Sequence, residues 1–308
     1  MNTIKNLIAQ EQLFPAFEQE VLPHYEQLAT FLANKHEKKQ STLLVAINGA
    51  QGTGKSTMAL FLKALLKKQS KQTAVISIDD LYHTYQIRKK LATDIHPLLV
   101  TRGVPGTHDI ALGQLIIQHL QNAKLGEVVQ IPAYDKAVDD RMPQTEWPSV
   151  SAPIDIILLE GWCVGARPMM EVDLQNPVNE LEAEEDKDLI WRHYINQELK
   201  DSYQGFFSQF DLLVMLKAPS FDCVKEWRAL QEEKLARKML VRMSDKQTNG
   251  NGKVNAPFKG LMDSHALNRF MMHYERLTKH MLEEMPQRAD VLITLQQDHT
   301  VQSVDYKA

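Results

Sequence analysis

The amino-acid sequence predicts an α/β fold in which helices cover both faces of a mostly parallel β-sheet. Short apolar runs alternate along the chain with longer segments of helical periodicity. Strands of a parallel sheet that is buried on both faces are apolar in this way. The predicted strands are residues 42–48, 73–78, 154–159, 211–216 and 291–295, and the predicted helices are residues 55–68, 111–121, 187–203, 221–243 and 266–284.

Composition and charge narrow the class of protein. The 308 residues are 44% apolar and 24% charged, as in an ordinary folded protein. A net charge of −4 gives no electrostatic reason to expect nucleic acid as a partner. Neither a membrane-spanning run nor a secretory signal pattern is evident, and the two cysteines, Cys163 and Cys223, have no metal-binding spacing. We therefore expect a cytoplasmic protein.

The first forty residues are expected to form a helical extension to a domain that spans residues 41–308. Their apolar residues recur at helical spacing, and Pro15 and Pro23 should interrupt the helices. The charged residues 35–39 are expected to be a solvated linker. We expect this extension to contribute packing and no chemistry.

The first predicted strand leads into Gly49-x4-Gly54-Lys55-Ser56, the pattern of a phosphate-binding loop. Its glycines let backbone N–H groups approach phosphate oxygens, and the next helix directs its positive end at the same anion. Lys55 would reach the outer phosphates, and the Ser56 hydroxyl would bind Mg²⁺. The pattern predicts a P-loop NTPase fold, a three-layer sandwich, with ATP and Mg²⁺ as cofactors. The expected nucleotide-binding residues are Gly49, Ala50, Gln51, Gly52, Thr53, Gly54, Lys55, Ser56 and Thr57.

Acidic residues follow two other predicted strands. Asp79 and Asp80 come after the second strand, which we expect beside the phosphate loop. One carboxylate could accept the proton of an attacking hydroxyl, and the other could help to hold the metal. The alternative is that one aspartate only caps the next helix. Glu160 ends the third strand, where a metal-orienting acid belongs, and the alternative is a carboxylate that only reaches solvent.

Residues 101–109 form a polar loop with two glycines and a proline. Its Arg102 and His108 would suit a small anionic substrate, because Arg can bind a carboxylate through two hydrogen bonds. The alternative is that Asp109 caps the next helix and that His108 lies on the surface.

Residues 132–141 form a second polar loop that we expect to face the substrate. Lys136 and Arg141 are candidate anion contacts, and Tyr82 and Tyr134 are further candidate substrate contacts. Loop charges are often only solvated, which is the alternative for this segment.

Arg228 in the long predicted helix could fold over the phosphates as a lid arginine. The alternative is a solvent-exposed helix face with pairs such as Glu233–Arg237. Residues 167–186 and 244–260 are predicted to be surface loops, and the acidic run in the first should be solvated.

Taken together, these motifs resemble the phosphoribulokinase, uridine kinase and pantothenate kinase group of P-loop kinases. Within that group they most resemble plant-type D-glycerate 3-kinase and its fungal and bacterial relatives, over most of residues 42–296. The sequence departs from that pattern at Leu81, where Phe is common, and this bears on the acceptor. The residues that carry the resemblance are Gly49-x4-Gly54-Lys55-Ser56, Ser77-Ile78-Asp79-Asp80-Leu81-Tyr82, Arg102-Gly103-x2-Gly106-Thr107-His108-Asp109, Tyr134-Asp135-Lys136, Glu160-Gly161-Trp162 and Trp227-Arg228.

The resemblance implies ATP-dependent, Mg²⁺-assisted phosphorylation of a small hydroxy acid, with D-glycerate as the expected acceptor. It implies that Asp79 is the catalytic aspartate and that Glu160 is the metal-associated acid. From the residues themselves, we expect Lys55 and Arg228 to stabilise phosphoryl charge. Ser56, Asp80 and Glu160 are the expected metal contacts. The alternatives are a kinase for a uridine-like or pantothenate-like metabolite, and a nucleotide-dependent regulatory or assembly ATPase. The oligomeric state is left open.

Overall fold

The computed structural model describes residues 2–233 and 262–307. Its strands are β1 (Leu43–Gly49), β2 (Thr73–Ser77), β3 (Val128–Gln130), β4 (Tyr134–Asp135), β5 (Asp140–Arg141), β6 (Ser149–Ser151), β7 (Ile156–Gly161), β8 (Leu212–Lys217), β9 (Val291–Leu295) and β10 (Val301–Tyr306). Within the described residues, six of these strands form the main sheet in the order β10-β9-β8-β1-β7-β2. The pairs β3–β6 and β4–β5 form two small antiparallel sheets.

Helices pack on both faces of the main sheet. They are α1 (Asn2–Gln10), α2 (Phe17–Glu20), α3 (Leu22–Lys39), α4 (Lys55–Lys68), α5 (Tyr85–Asp94), α6 (Ile110–Asn122), α7 (Glu180–Glu185), α8 (Ile190–Glu198), α9 (Gln204–Phe207), α10 (described over 221–233) and α11 (Ser264–Glu284). Along β1, Val45 and Ile47 belong to one hydrophobic core, and Leu44 and Ala46 belong to the other. Side chains alternate between the faces of a strand, so both faces are covered and the predicted three-layer α/β sandwich is confirmed.

The sheet order corrects one expectation and adds one strand. Strand β7 pairs in parallel with both β1 and β2, so the strand that precedes Asp79 is not the neighbour of the phosphate-loop strand. After β1 the chain first forms β2, two positions away in the sheet, and β7 later fills the position between them. Local sequence does not encode that order. Strand β10 pairs antiparallel with β9 at the sheet edge. The sequence does not predict it, because its residues form no apolar run and none of them is fully buried.

The N-terminal helices share a core with the sheet. Helix α2 carries Phe17, whose ring centroid lies 5.1 Å from that of Phe61 on α4. The chain breaks between α1 and α2 around Pro15, whereas Pro23 lies in the first turn of α3, where a missing N–H costs nothing. Residues 35–39 complete α3, so the expected linker there is wrong. The division of the chain at residue 40 remains a prediction.

The expectation that residues 167–186 form a solvated acidic loop is wrong in its main feature. The segment contains α7, and the side chains of Glu182 and Asp186 are fully buried. They pair with Arg192 and Arg276 from α8 and α11. Buried carboxylates require such partners. The predicted loop 244–260, and the end of the helix predicted over 221–243, lie outside the described residues.

Helix α8 begins at Ile190, three residues later than predicted, and its winding loosens to a π-helix at Leu199–Tyr203. Among residues 2–233 and 262–307, no helix combines the length and the apolar character that crossing a bilayer would need.

Candidate active site

The segment between β1 and α4 has the backbone geometry that a phosphate-binding loop requires. Gly52 and Gly54 adopt φ of +83° and +85°, a conformation that other residues rarely take. A side chain on Gly52 would also collide with Trp227, because a Cβ there would lie 2.5 Å from the Trp227 Cβ. Helix α4 begins at Lys55, so its free N–H groups point into the loop.

Ser56 and Glu160 meet at the carboxyl ends of β1 and β7. These strands are parallel neighbours, and Glu160 lies beside Ile47 in their register. The Ser56 hydroxyl donates a 2.7 Å hydrogen bond to Oε1 of Glu160. Glu160 is buried, and no atom of the described residues hydrogen-bonds its Oε2. A hydroxyl oxygen and an incompletely paired carboxylate are the donors that Mg²⁺ prefers, so these residues fit that ion.

Asp79 projects from a short 3₁₀ turn, Ile78–Leu81, that follows β2. Its carboxylate accepts hydrogen bonds from the Tyr82 hydroxyl at 2.8 Å and from the Lys136 ammonium at 2.6 Å. Burial raises the pKa of the Asp79 carboxyl, but the charges of Lys136 and Lys55 outweigh burial and hold this pKa well below its ordinary value. Asp79 is therefore ionised. Ser77 and Thr84 cap the following turns, so Asp79 is not used as a helix cap.

Asp80 has a different environment from its neighbour. Its Oδ1 accepts a hydrogen bond from the backbone N–H of Tyr134 at 3.1 Å. Burial raises the pKa of the Asp80 carboxyl to about 6, and the Asp79 charge adds to the increase. Asp80 is absent from the described residues that line the active-site cavity. The Glu160 charge also contributes to this raised pKa, so the two carboxylates lie near each other, and the expected metal contact from Asp80 stays a prediction.

A cavity of about 350 Å³ opens beside the phosphate loop. Besides Lys55 of the phosphate loop, three cationic side chains reach it from separate elements: Arg102 from the first polar loop, Lys136 from the second, and Arg228 from α10. The predicted site residues that line it are Gln51, Gly52, Lys55, Ser56, Asp79, Tyr82, Arg102, Lys136 and Arg228. The cavity thus combines phosphate-loop groups, the carboxylates of Asp79 and Glu232, and several positive charges.

His108 lies behind this cavity and does not reach a ligand as a cation. It is buried, its ring stacks on Tyr82 at 4.6 Å, and its Nδ1 is 2.7 Å from the Tyr203 hydroxyl. The Tyr203 oxygen also accepts from the Gly106 N–H at 3.0 Å. Burial lowers the pKa of the His108 imidazole to about 3, so the ring is neutral. The expected anion contact from His108 therefore does not fit its surroundings.

Another predicted substrate residue, Arg141, holds together the loops that frame the cavity. Arg141 pairs with Asp109 at 3.1 Å and donates to the Tyr82 carbonyl. Asp109 also accepts from the Leu112 N–H, which confirms the interpretation of Asp109 as a helix cap. Arg141 does not line the cavity.

The Tyr134 side chain is buried and positions Arg102. Its hydroxyl donates to Asp139 at 2.9 Å, and Asp139 also pairs with Arg88 and Arg102. The Tyr274 hydroxyl donates to the Arg102 carbonyl at 3.0 Å. A Cβ on Gly103 would overlap that hydroxyl at 2.0 Å, so this loop needs a glycine there. These contacts fix the Arg102 guanidinium at the cavity wall.

Sequence reasoning missed several residues of the wall. Phe270 and Tyr274, one turn apart on α11, and Trp162 after β7 line the cavity. Spacing of four residues on an amphipathic helix predicts a core face, so no local signal distinguished these aromatic residues. Arg228 pairs at 2.6 Å with Glu232, which lies one turn later on α10. The Glu233–Arg237 pair that was expected includes a residue outside the described residues.

The sequence matches a known family model. Residues 44–167 match the phosphoribulokinase / uridine kinase family. The matched range holds the phosphate loop, both aspartates after β2, the two polar loops and Glu160. It ends before α7, α10 and α11, and it excludes the N-terminal helices.

Relatives extend the similarity beyond that range. The chain is 30% identical over 226 residues to the Saccharomyces cerevisiae protein named probable ATP-dependent kinase TDA10, covering 67% of this chain and 73% of that protein. It is 30% identical over 217 residues to the chloroplastic D-glycerate 3-kinase of Arabidopsis thaliana, covering 67% of this chain and 44% of that protein. An Uncharacterized kinase, mug58 of Schizosaccharomyces pombe, is 29% identical over 230 residues, which are 72% of this chain and 81% of that protein.

A solved structure shares the fold. The D-glycerate 3-kinase of Cryptococcus neoformans var. grubii superposes with a TM-score of 0.71 and 22% sequence identity, covering 92% of this chain and 98% of that one. At this identity the likeness describes the fold alone.

Proposed function

We propose that this chain, which belongs to the phosphoribulokinase / uridine kinase family of P-loop kinases, transfers the γ-phosphoryl group of ATP to a hydroxyl of D-glycerate. One observation carries the proposal: the ionised Asp79 and Ser56, whose hydroxyl donates to Glu160, line one cavity together with Lys55, Arg102, Lys136 and Arg228. A kinase needs this combination, because phosphoryl transfer depends on positioning and on charge stabilisation more than on covalent chemistry.

The nucleotide side of the proposal uses the loop and the acid of β7. The loop N–H groups and the start of α4 would bind the phosphates, and Lys55 would neutralise the transferring group. Ser56 and Glu160 would hold Mg²⁺, which when bound neutralises charge on the β- and γ-phosphates. The Tyr134 N–H engages only Oδ1 of Asp80, so this carboxylate is proposed as a further contact beside Glu160.

On the acceptor side, Asp79 would receive the hydroxyl proton as the oxygen bonds to phosphorus and ADP leaves. The Lys136 ammonium donates a hydrogen bond to Oδ2 of Asp79. The acceptor hydroxyl must therefore displace Lys136 or bind the same carboxylate beside it. A carboxylate with a low pKa is a weak base. We therefore propose that Asp79 first orients the hydroxyl and takes the proton late, as a loose transition state allows.

Glycerate is proposed as the acceptor because the cavity is cationic at its outer wall. Arg102, Lys136 and Arg228 would meet both the substrate carboxylate and the transferring phosphate. A relative that covers two thirds of this chain is named D-glycerate 3-kinase, which favours the same acceptor. The buried, unpaired Cys163 and Cys223 favour a reducing compartment, and we propose the cytoplasm.

The test is a coupled assay of ADP release with D-glycerate, pantothenate, uridine and ribulose 5-phosphate, each with ATP and Mg²⁺. We expect kcat/KM to be highest for D-glycerate. A higher value for pantothenate or uridine would reassign the acceptor. No stimulation by any of the four, together with slow ATP hydrolysis, would contradict the proposal and favour a regulatory ATPase.

A further inference from the structure

The phosphate loop separates two cavities. The active-site cavity lies on one side, and a second cavity of about 630 Å³ opens on the other. Gly52 and Gln231 line both. The second cavity also takes in Thr53, Gly54 and Thr57 from the loop and the first turn of α4. A ligand bound along the loop can therefore extend from one cavity into the other.

The direction of such a ligand follows from the first turn of α4. Consecutive residues of an α-helix point about 100° apart, so Ser56 and Thr57 face different sides. Ser56 and Lys55 face the active-site cavity, where the terminal phosphate would lie, and Thr57 faces the second cavity. The nucleoside of a bound ATP would then occupy the second cavity, whose volume is in the range of small-molecule sites, roughly 300–1,000 Å³.

The outer wall of the second cavity comes from the N-terminal segment. Thr57 and Phe61 lie one turn apart on the same face of α4. Phe17 and Tyr25 pack on Phe61, with ring centroids 5.1 and 6.1 Å away. The chain just before Phe17 lines the same cavity as Thr57. That chain is the turn of residues 11–14 between α1 and α2, and all four of its residues line the cavity.

We propose that the turn at residues 11–14 is a wall of the nucleoside subsite, so that the N-terminal helices are part of the ATP-binding site. This inference rests on the ATP dependence in the proposed function, and it reverses the expectation that the extension contributes packing alone. These residues lie outside the range that matches the family model.

The chemistry of the two facing walls suits a purine nucleoside. Leu13 and Phe14 are half-buried and offer apolar contact from the N-terminal side. The opposite wall includes Leu295 and His299, whose ring stacks on Trp227 at 4.2 Å and contacts the Gly52 carbonyl at 2.9 Å. The Gln12 amide, on a turn with φ of +51°, is placed to hydrogen-bond a base edge or a ribose hydroxyl.

The experiment compares ADP with inorganic triphosphate as probes on the full chain. Isothermal titration calorimetry would measure both dissociation constants for the wild type, Leu13→Ala and Phe14→Ala. We expect the affinity for ADP to fall by about tenfold in each variant, because the substitution removes apolar contact with the nucleoside. Binding of inorganic triphosphate should stay within about twofold of the wild type, since that probe has no nucleoside.

Leu7→Ala is the matched control. Leu7 is half-buried and packs against the same core from α1, but it does not line the cavity. It removes the same side-chain atoms as Leu13→Ala, and ADP binding should not change. Thermal melts would verify that all variants fold.

Several outcomes would overturn the inference. The affinity for ADP could be unchanged in both cavity variants, or the affinity for inorganic triphosphate could fall in parallel with that for ADP. Leu7→Ala could also weaken ADP binding as much as Leu13→Ala does. A wild type that binds no ADP would contradict both the inference and the proposed function. ADP binding that depends on Leu13 and Phe14, in a protein that does not phosphorylate glycerate, would sink only the proposed function.

Discussion

Two clusters of charged residues in this molecule look alike in sequence but differ in structure. The first, which we call the buried cluster, consists of Glu182, Asp186, Arg192 and Arg276. Its carboxylates are fully buried, and its closest pairs lie at 2.6 and 2.8 Å. The second, the cavity cluster, consists of Asp79, Arg102, Lys136 and Arg228. There the Asp79 side chain is 26% exposed and the Lys136 side chain is 56% exposed.

The difference teaches what decides the role of a charge. In the buried cluster, opposite charges from α7 and its C-cap, α8 and α11 pair with one another, and none of these side chains is more than 10% exposed. Such groups hold elements together, and loss of one leaves another uncompensated. In the cavity cluster, the pairs Asp79–Lys136 and Arg228–Glu232 lie at a cavity wall and can exchange partners. Four predictions test this division between stability and chemistry.

The largest expected effect is on turnover, from Asp79→Asn. Loss of the proton acceptor should lower kcat by about 10²–10⁴-fold. The free energy of unfolding should fall by no more than about 1 kcal/mol, because the Lys136 pair is partly exposed. Steady-state kinetics and urea unfolding would measure the two quantities. A kcat close to that of the wild type would remove Asp79 from the mechanism.

The opposite pattern is expected for Glu182→Gln in the buried cluster. Removing this charge leaves Arg276 without its charge partner and leaves Arg192 with Asp186 alone, which should lower the free energy of unfolding by about 3–5 kcal/mol. The kcat of the folded fraction should not change. Glu184→Gln, at an exposed position of the same helix, is the control and should cost less than about 0.5 kcal/mol. Equal stability of the two variants would contradict the division.

A smaller effect is expected from Arg102→Met at the cavity wall. The KM for D-glycerate should rise by about 10–100-fold, because a charge-assisted contact with the carboxylate is lost. Arg141→Met is the comparison, since Arg141 pairs with Asp109 and does not line the cavity. Its KM should stay within about twofold of the wild type. If both variants raise KM equally, the two polar loops contribute through their shape and not through the Arg102 charge.

The smallest effect is a pH dependence from His108. Its pKa is about 3 in the folded protein and 6.5 as a free side chain, so the unfolded chain binds a proton between these values that the folded protein does not. The free energy of unfolding should therefore fall with pH below 6.5, by up to about 1.4 kcal/mol per unit, with no contribution above it. His108→Gln should lose this slope between pH 6 and 4. Parallel curves for variant and wild type would show that His108 is protonated when folded.

Local chemistry explains which parts of the site could be predicted. The phosphate loop is contiguous, and its glycines, its lysine and its helix start follow from backbone geometry alone. Asp79 and Glu160 could be placed near it because the carboxyl ends of parallel strands share one edge of the sheet. His108 could not be placed, since its neutral state depends on burial against Tyr82 and Tyr203, which are distant in sequence or on another loop.

The burial of Glu182 in the acidic segment 167–186 also depends on residues that are distant in sequence. A run of glutamates between two elements predicts solvent exposure, because a buried charge needs a partner. The partners Arg192 and Arg276 are supplied by α8 and α11, and the second is about ninety residues away along the chain. Nothing in the run itself distinguishes Glu182, which is buried, from Glu184, which is exposed.

The sequence by itself determined the α/β class, the phosphate loop and the kind of chemistry, because strand burial and a nine-residue loop are written in neighbouring residues. Only the tertiary structure decided that β7 separates β2 from β1, that Arg102 reaches the cavity while His108 does not, and that the N-terminal turn closes the second cavity. Those outcomes depend on which distant side chains share a buried volume, and burial is a property of the whole fold.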